Sequence, residues 1–437
     1  LKQIFKDIIK AIIFAALLLL VFFKFSQILE YKNSNYNKKP FYELSENGGA
    51  DVLFAGSSHM WDGIFPITLY ENFGITSYNA ASPGEEIAVT YHVLREMIKT
   101  DKPKVVVVDA FLITSDKVED VRMDCGQIHE SMDFMPLNKN KIELARLAAE
   151  SEDMSPVAFL SSMYAYHYRW KELESRDFAA IYNRQLGACA LSGIFRCTPP
   201  EDHNDLISED ALEGEGYEYL TKIMDLCKEN DMKFILVNIP YSKQSSRRQA
   251  KENAYIKAVR DNGFDAINFR DYIDELNIDY STDYQDSSHA NILGATKLTN
   301  FMGRYLSENY ELADHRLDAN AAYWEKLQYM YKEEMLSDAA EAEFPEVFLM
   351  YSFHLEGVTP VIYYEDEATL WHSSTLSDLI GIMDIETLPY EALPEDEKLQ
   401  KASRHYDIIT AFKDDSGTIF SYKGFSKTEA SFDTEDH

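Results

Sequence analysis

Two short stretches hold residue types that could carry out nucleophilic catalysis. The first is Gly56-Ser57-Ser58-His59, which closes the apolar run 51–55. A serine hydroxyl ionises far above neutral pH, so it attacks a carbonyl only when a general base takes its proton. The second stretch, far downstream, is Asp286-Ser287-Ser288-His289. Residues three apart in one tight turn project to the same side, so the Asp286 carboxylate can hold the His289 ring in the tautomer and orientation a base needs. Ser58 would be the nucleophile, His289 the base and Asp286 its orienter. Each stretch has a bland reading: a Ser-Ser turn by itself caps a helix, and an isolated D-x-x-H box is a surface turn. The catalytic reading therefore needs a fold that brings them together.

The pattern of elements supplies one. Residues 51–55 read as an interior strand, and Gly56 permits a sharp turn at its end. A short strand near 77–79, a Ser-Pro-Gly turn and an amphipathic helix over about 85–99 follow. The run PKVVVVDAFLI is a strand covered on both faces. Helix GEGYEYLTKIMDLCKEND, strand MKFILVNIPYS, helix RRQAKENAYIKAVRDNG, strand FDAINFRD and helix NILGATKLTNFMGRYLSENY continue the alternation. This rhythm predicts an α/β fold, a doubly wound parallel sheet of about five strands with helices on both faces. Ligands of such sheets gather at the carboxyl ends of the strands, where the turn after the first strand and the loop before the last helix both open. Residues 118–210 break the rhythm as a helical, Tyr-rich insertion, and 316–437 read as a small α/β accessory domain with an acidic tail.

The N-terminus has an unbroken apolar run over 11–23, extended to about twenty residues if Lys10 and Lys24 snorkel, enough to cross a bilayer. Lys2, Lys6 and Lys10 precede it, so the positive-inside rule keeps the N-terminus cytoplasmic and the remainder outside. Bulky residues after the run leave no small-x-small cleavage site, which favours an anchor over 1–30 against a cleaved signal peptide. The polar, Asn-rich segment 31–50 reads as a stalk.

Gly56-Ser57-Ser58, Gly84 in the second block, and Asp286-x-x-His289 before an Asn-x-x-Gly helix start together resemble the SGNH/GDSL hydrolase superfamily over about residues 50–310. More closely they resemble its membrane-anchored members (DltD-like teichoic-acid D-alanylation and alginate-acetylation proteins) that work beside a multi-pass membrane-bound O-acyltransferase. The resemblance implies Ser58 as nucleophile, His289 as base and Asp286 as orienter. The backbone N–H groups of Ser58 and Gly84 would form the oxyanion hole, each such donor worth about 3 kcal/mol in the transition state. It also implies acyl transfer or ester hydrolysis on a cell-surface glycan or teichoic-type polymer, with the acylated polymer or an acyl donor and the acyltransferase as partners. The third block departs from the family. It carries Asp109 where many members have an asparagine donor, which leaves Asn79 and Asn238 as candidates and a non-catalytic polymer-binding or assembly role as the alternative.

His59, His167, Arg169 and Trp170 are candidate substrate contacts, the last three together with Tyr166 as an aromatic platform for sugar rings. No close-spaced ligand pair supports a metal at His59, His167 and His289, and no cofactor is expected. With 42 basic against 74 acidic residues and a net charge of −32, the bulk surface opposes nucleic-acid phosphates and anionic lipid. The four cysteines, 125, 189, 197 and 227, are too scattered for a disulfide scaffold. Cys189 and Cys197 could close a small loop in an oxidising compartment, but free thiols are the expectation.

Overall fold

The structure is a computed structural model, and it describes residues 2–30, 37–113, 123, 125–178 and 184–426. Helix α1 (Lys2–Leu29) leads to α2 (Pro40–Glu46) and then to the sheet. Its strands are β1 (Val52–Ala55), β2 (Ser77–Asn79), β3 (Val105–Asp109), β4 (Lys233–Asn238) and β5 (Asp265–Asn268), in the order β2-β1-β3-β4-β5 and all parallel. This is the doubly wound order expected, and its switch point falls between β1 and β3, where the chain crosses to opposite halves of the sheet.

Alternation along the strands builds two cores. Leu53, Ala55, Val106, Val108, Phe234, Leu236 and Ala266 face one side, where they meet α5 (Ile87–Met97, after the shorter α3, Ser58–Gly63, and α4, Pro66–Phe73) and the helices Glu215–Glu229 and Ser246–Asp261. Val52, Phe54, Val105, Val107, Ile235, Val237 and Ile267 face the other, against Met60 of α3 and the helix Ile292–Asn309. Burial on both faces is why the strands read as continuous Val/Ile/Leu/Phe runs.

A second, smaller sheet has the order β7-β6-β8-β9, from β6 (Thr359–Tyr364), β7 (Glu386–Pro389), β8 (Ile408–Lys413) and β9 (Ile419–Phe425). The long helix Ala321–Glu341 joins it to the first unit by stacking Trp324 on Tyr70, with ring centroids 4.6 Å apart. Phe348 and Phe412 belong to the same buried cluster as Leu53 and Val106, so the accessory unit shares the core beneath the main sheet.

Two expectations change. The segment read as a stalk is helical over α2, and Phe41, Leu44 and Lys38 are buried, because the apolar face of a short helix can pack where composition suggests only polarity. Residues 31–36 lie outside the described residues. Among the described residues the insertion is α-helical over Cys125–Met132, Lys139–Glu152, Pro156–Leu160 and Ser162–Tyr166, continues in short 3-10 turns over His167–Lys171 and Ser175–Phe178, and has no helix over 184–208. Residues 118–122, 124 and 179–183 of the expected insertion lie outside the description, as does the acidic tail 427–437. From 188 to 199 the chain has no regular structure and is threaded along the carboxyl edge. The Cys189 N–H donates to the Trp61 carbonyl, that of Phe195 to Tyr284 and that of Cys197 to Tyr280.

Candidate active site

The turn after β1 is shaped by a buried carboxylate. Gly56 has φ +129°, and a Cβ there would lie 2.1 Å from Asp109 Oδ2, so only glycine fits. Asp109, at the carboxyl end of neighbouring β3, accepts from the Ser57 N–H (2.5 Å), the Ser57 hydroxyl (2.9 Å) and the Phe111 N–H (2.9 Å). Burial raises the Asp109 carboxyl to about 6 against the pull of these bonds. Ser57 Oγ in turn accepts from the His59 N–H and caps α3. Ser57 is thus the structural serine of the pair, and Ser58 opens the helix, 8% exposed.

The downstream turn meets it there. His289 Nε2 lies 2.9 Å from Ser58 Oγ, and His289 Nδ1 lies 2.8 Å from Asp286 Oδ2. The carboxylate's other oxygen accepts from the Ser288 and His289 N–H groups at 2.7 and 3.0 Å. Burial works against the Asp286 charge, but the His289 contact and the two N–H donors outweigh it and hold the carboxyl down at about 2. An ionised Asp286 on Nδ1 fixes the proton there and leaves Nε2 free to accept from the Ser58 hydroxyl.

The turn is braced on three sides. Asn291 caps the last helix by accepting from the Leu293 and Gly294 N–H groups, while its amide donates to the carbonyls of Gly193 and Thr282. Gly294 is required because a Cβ would lie 2.4 Å from the Asp283 carbonyl oxygen. Cys197 Sγ donates to the Asp286 carbonyl at 3.4 Å. All four cysteines are free thiols.

His59 sits beside this relay. Its Nε2 lies 2.9 Å from Ser288 Oγ, and its ring stacks on Phe111 with centroids 3.7 Å apart. The Arg248 guanidinium covers the far side of Phe111. Burial, then the neighbouring His289 ring and the Arg248 charge, pushes His59 well below the usual imidazole range, so it is neutral. Among the described residues its Nδ1 has no hydrogen-bond partner, so the Nε2 contact with Ser288 is the ring's one hydrogen bond there. His59 therefore holds the turn that carries His289. Asp62, one turn further along α3, is buried with neither oxygen bonded to another described residue, and burial, then the Asp286 and Asp109 charges, pushes its carboxyl well above the usual carboxylate range.

The second block lies against the first. The Ser82 N–H donates to the Gly56 carbonyl at 3.1 Å, and Gly84 adopts φ +69° in the turn that follows. Among the described residues no acceptor is found for the backbone N–H of Ser58 or of Gly84. Behind this turn Glu85 accepts from the Thr90 and Ser131 hydroxyls at 3.0 and 2.9 Å and pairs with Lys38 at 3.2 Å, all buried. Lys38 also bonds the Ser82 hydroxyl.

Other candidates are occupied elsewhere. Both Asn79 amide hydrogens go to the carbonyls of Met60 and Ile64, so Asn79 is no oxyanion donor; it ties α3 to β2. Asn238 donates to Glu252 and accepts from the Phe269 N–H. The platform does not join the triad: Arg169 donates to the Leu29 carbonyl and to Asp177, His167 Nδ1 lies against the Tyr164 carbonyl, and Trp170 faces solvent under Lys171. These residues surround the end of α1. Sequence reasoning missed the roles of Lys38, Glu85, Ser288 and Arg248, which come from elements whose neighbours no local pattern specifies. No group of three or more metal-ligating side chains occurs among the described residues.

No family model matches the sequence, and no curated protein matches it. Among solved structures, a Bacteroides fragilis protein described as an acylhydrolase overlaps at 14% identity and TM-score 0.31, covering 61% of this chain and 94% of its own. A GDSL-like lipase from Bacteroides thetaiotaomicron overlaps at 13% identity and TM-score 0.30, covering 63% and 99%. Overlap this loose assigns no family.

Proposed function

We propose that the protein is a membrane-anchored serine acyltransferase or esterase of the SGNH/GDSL type, acting on O-acyl esters of a cell-surface glycan or teichoic-type polymer. The observation that carries this reading is the unbroken relay from the Asp286 carboxylate through His289 to the Ser58 hydroxyl, formed across 231 residues of chain. Ser58 Oγ adds to the acyl carbonyl as His289 Nε2 takes its proton, and the Ser58 and Gly84 N–H groups receive the charge on the carbonyl oxygen. Collapse breaks the bond to the leaving alcohol, which takes the proton from His289 and leaves an acyl-serine. Water or a polymer hydroxyl, deprotonated by His289, then attacks the acyl-serine and regenerates Ser58.

Helix α1 is long and apolar enough to cross a membrane and has no buried residue in its apolar window, which supports an anchor; the placement of the catalytic unit outside rests on Lys2, Lys6 and Lys10 ahead of the apolar run. The polymer substrate and a multi-pass acyltransferase partner follow from the family resemblance of the motifs. The test compares wild type with Ser58→Ala for hydrolysis of a small acetyl ester and for acyl content of the surface polymer. Loss of both supports the reading, and two unchanged activities refute it.

A further inference from the structure

We propose that the collar formed by residues 156–178 around the end of α1 seats in the lipid headgroup layer, so that the protein touches its membrane through the collar as well as through the helix. The inference rests on reading α1 as a membrane span.

Side chains of α1 are exposed from Gln3 to Phe25, and burial by protein begins at Ser26, with Leu29 and Glu30 also buried. What buries them is this collar. Ser26 Oγ lies 2.7 Å from Ser162 Oγ, and Ser162 donates to Glu30 at 3.0 Å. Arg169, 5% exposed, donates to the Leu29 carbonyl, and Asp177 holds it at 2.7 Å. The collar is therefore fixed to the helix exit by buried polar bonds.

Its outer face carries a run of large apolar and aromatic side chains, with His167, Lys171, Glu172 and Glu174 exposed among them. Val157, Tyr164, Tyr168, Trp170 and Phe178 are 68, 55, 46, 59 and 65% exposed, a density of large exposed apolar side chains matched, among the described residues, by no other stretch of similar length outside α1. Lys171 lies 5.6 Å over the Trp170 ring. Tyr and Trp pair a flat apolar body with a polar edge, and lysine can snorkel, which is the chemistry of the zone between hydrocarbon and water.

The height of the collar agrees. At 1.5 Å per residue, Leu29 stands about 7.5 Å beyond Lys24 along the helix axis. A headgroup layer is roughly 5–7 Å deep on each side of the hydrocarbon. With Lys24 at the hydrocarbon boundary, Ser26, about 3 Å beyond it, lies inside that layer and Leu29 at its outer edge, so the collar that clasps both spans the headgroup level. A rigid seat there fixes the tilt of the catalytic unit over the membrane, which a single helix on a hinge would leave free.

The experiment uses the full chain in phosphatidylcholine vesicles, with Trp371→Phe as background because Trp371 is the other exposed tryptophan; Trp61 and Trp324 are buried. Protease protection of an N-terminal tag reports insertion of α1. Lipids brominated near the headgroup should quench the Trp170 emission, aqueous iodide should not, and Trp170→Phe should abolish the lipid-dependent quenching while leaving the tag protected. A protected tag with Trp170 quenched by iodide and not by brominated lipid overturns the seat and leaves the anchor standing. Relief of iodide quenching by added oligosaccharide would overturn it in favour of a sugar platform. An unprotected tag removes the anchor reading and the seat with it.

Discussion

Lys38→Met should destabilise the protein by about 3 kcal/mol, because it leaves the Glu85 charge buried without its counter-ion. The structure sets the size of the effect. Lys38 is 2% exposed, and among the described residues Glu85 keeps only the Thr90 and Ser131 hydroxyls once the ammonium is gone. Breaking a buried pair typically costs about 3–5 kcal/mol, and the two surviving donors, each worth roughly 1.5 kcal/mol or more to a charged acceptor, put this case at the lower end. Adding Glu85→Gln removes the charge while keeping an oxygen for the hydroxyls, so the double variant should recover all but about 1–2 kcal/mol. The assay is chemical unfolding of the full chain in detergent, followed by circular dichroism. The reasoning fails if Lys38→Met costs less than about 1 kcal/mol, or if the double variant is no more stable than the single.

Gly56→Ala should cost on the order of 3 kcal/mol, combining left-handed strain with a 2.1 Å approach to Asp109, and should remove esterase activity even under conditions where the chain stays folded; thermal unfolding and ester turnover check the two halves. Asp109 gives a pH signature. Its folded value of about 6 lies above its unfolded one, so the unfolded state loses the proton first and stability falls, by roughly 3 kcal/mol, as pH rises from about 4 to about 6. Asp109→Asn should lack this fall when urea midpoints are compared at the two ends of that window.

The sheet was legible because both faces of each central strand are buried, which writes Val-Val-Val-Val and Phe-Ile-Leu-Val into the sequence without interruption. The relay was legible for a different reason: Ser58, Asp286 and His289 sit beside glycines and an asparagine that only tight turns and helix starts require. Pairings across elements were not. Nothing local marks Lys38 as the partner of Glu85, or Ser288 as the partner of His59, since both depend on which loops the sheet order makes neighbours. Asn79 misled because a side-chain amide at a strand end serves a backbone carbonyl as readily as an oxyanion, and the choice is made by α3 folding back over β2. Tyr166, Arg169 and Trp170 look alike in sequence but divide in the fold: the first two are buried and the third is exposed, set by how the collar wraps α1.

The central claim is that the hydroxyl of Ser58 is activated by His289, and a serine-directed fluorophosphonate reads that directly, since it forms a covalent bond only with an activated hydroxyl. Mass spectrometry of the treated full-length protein should find the adduct on Ser58, with the label lost in His289→Ala. An unlabelled Ser58 in folded protein, or labelling that persists undiminished without His289, would contradict the account.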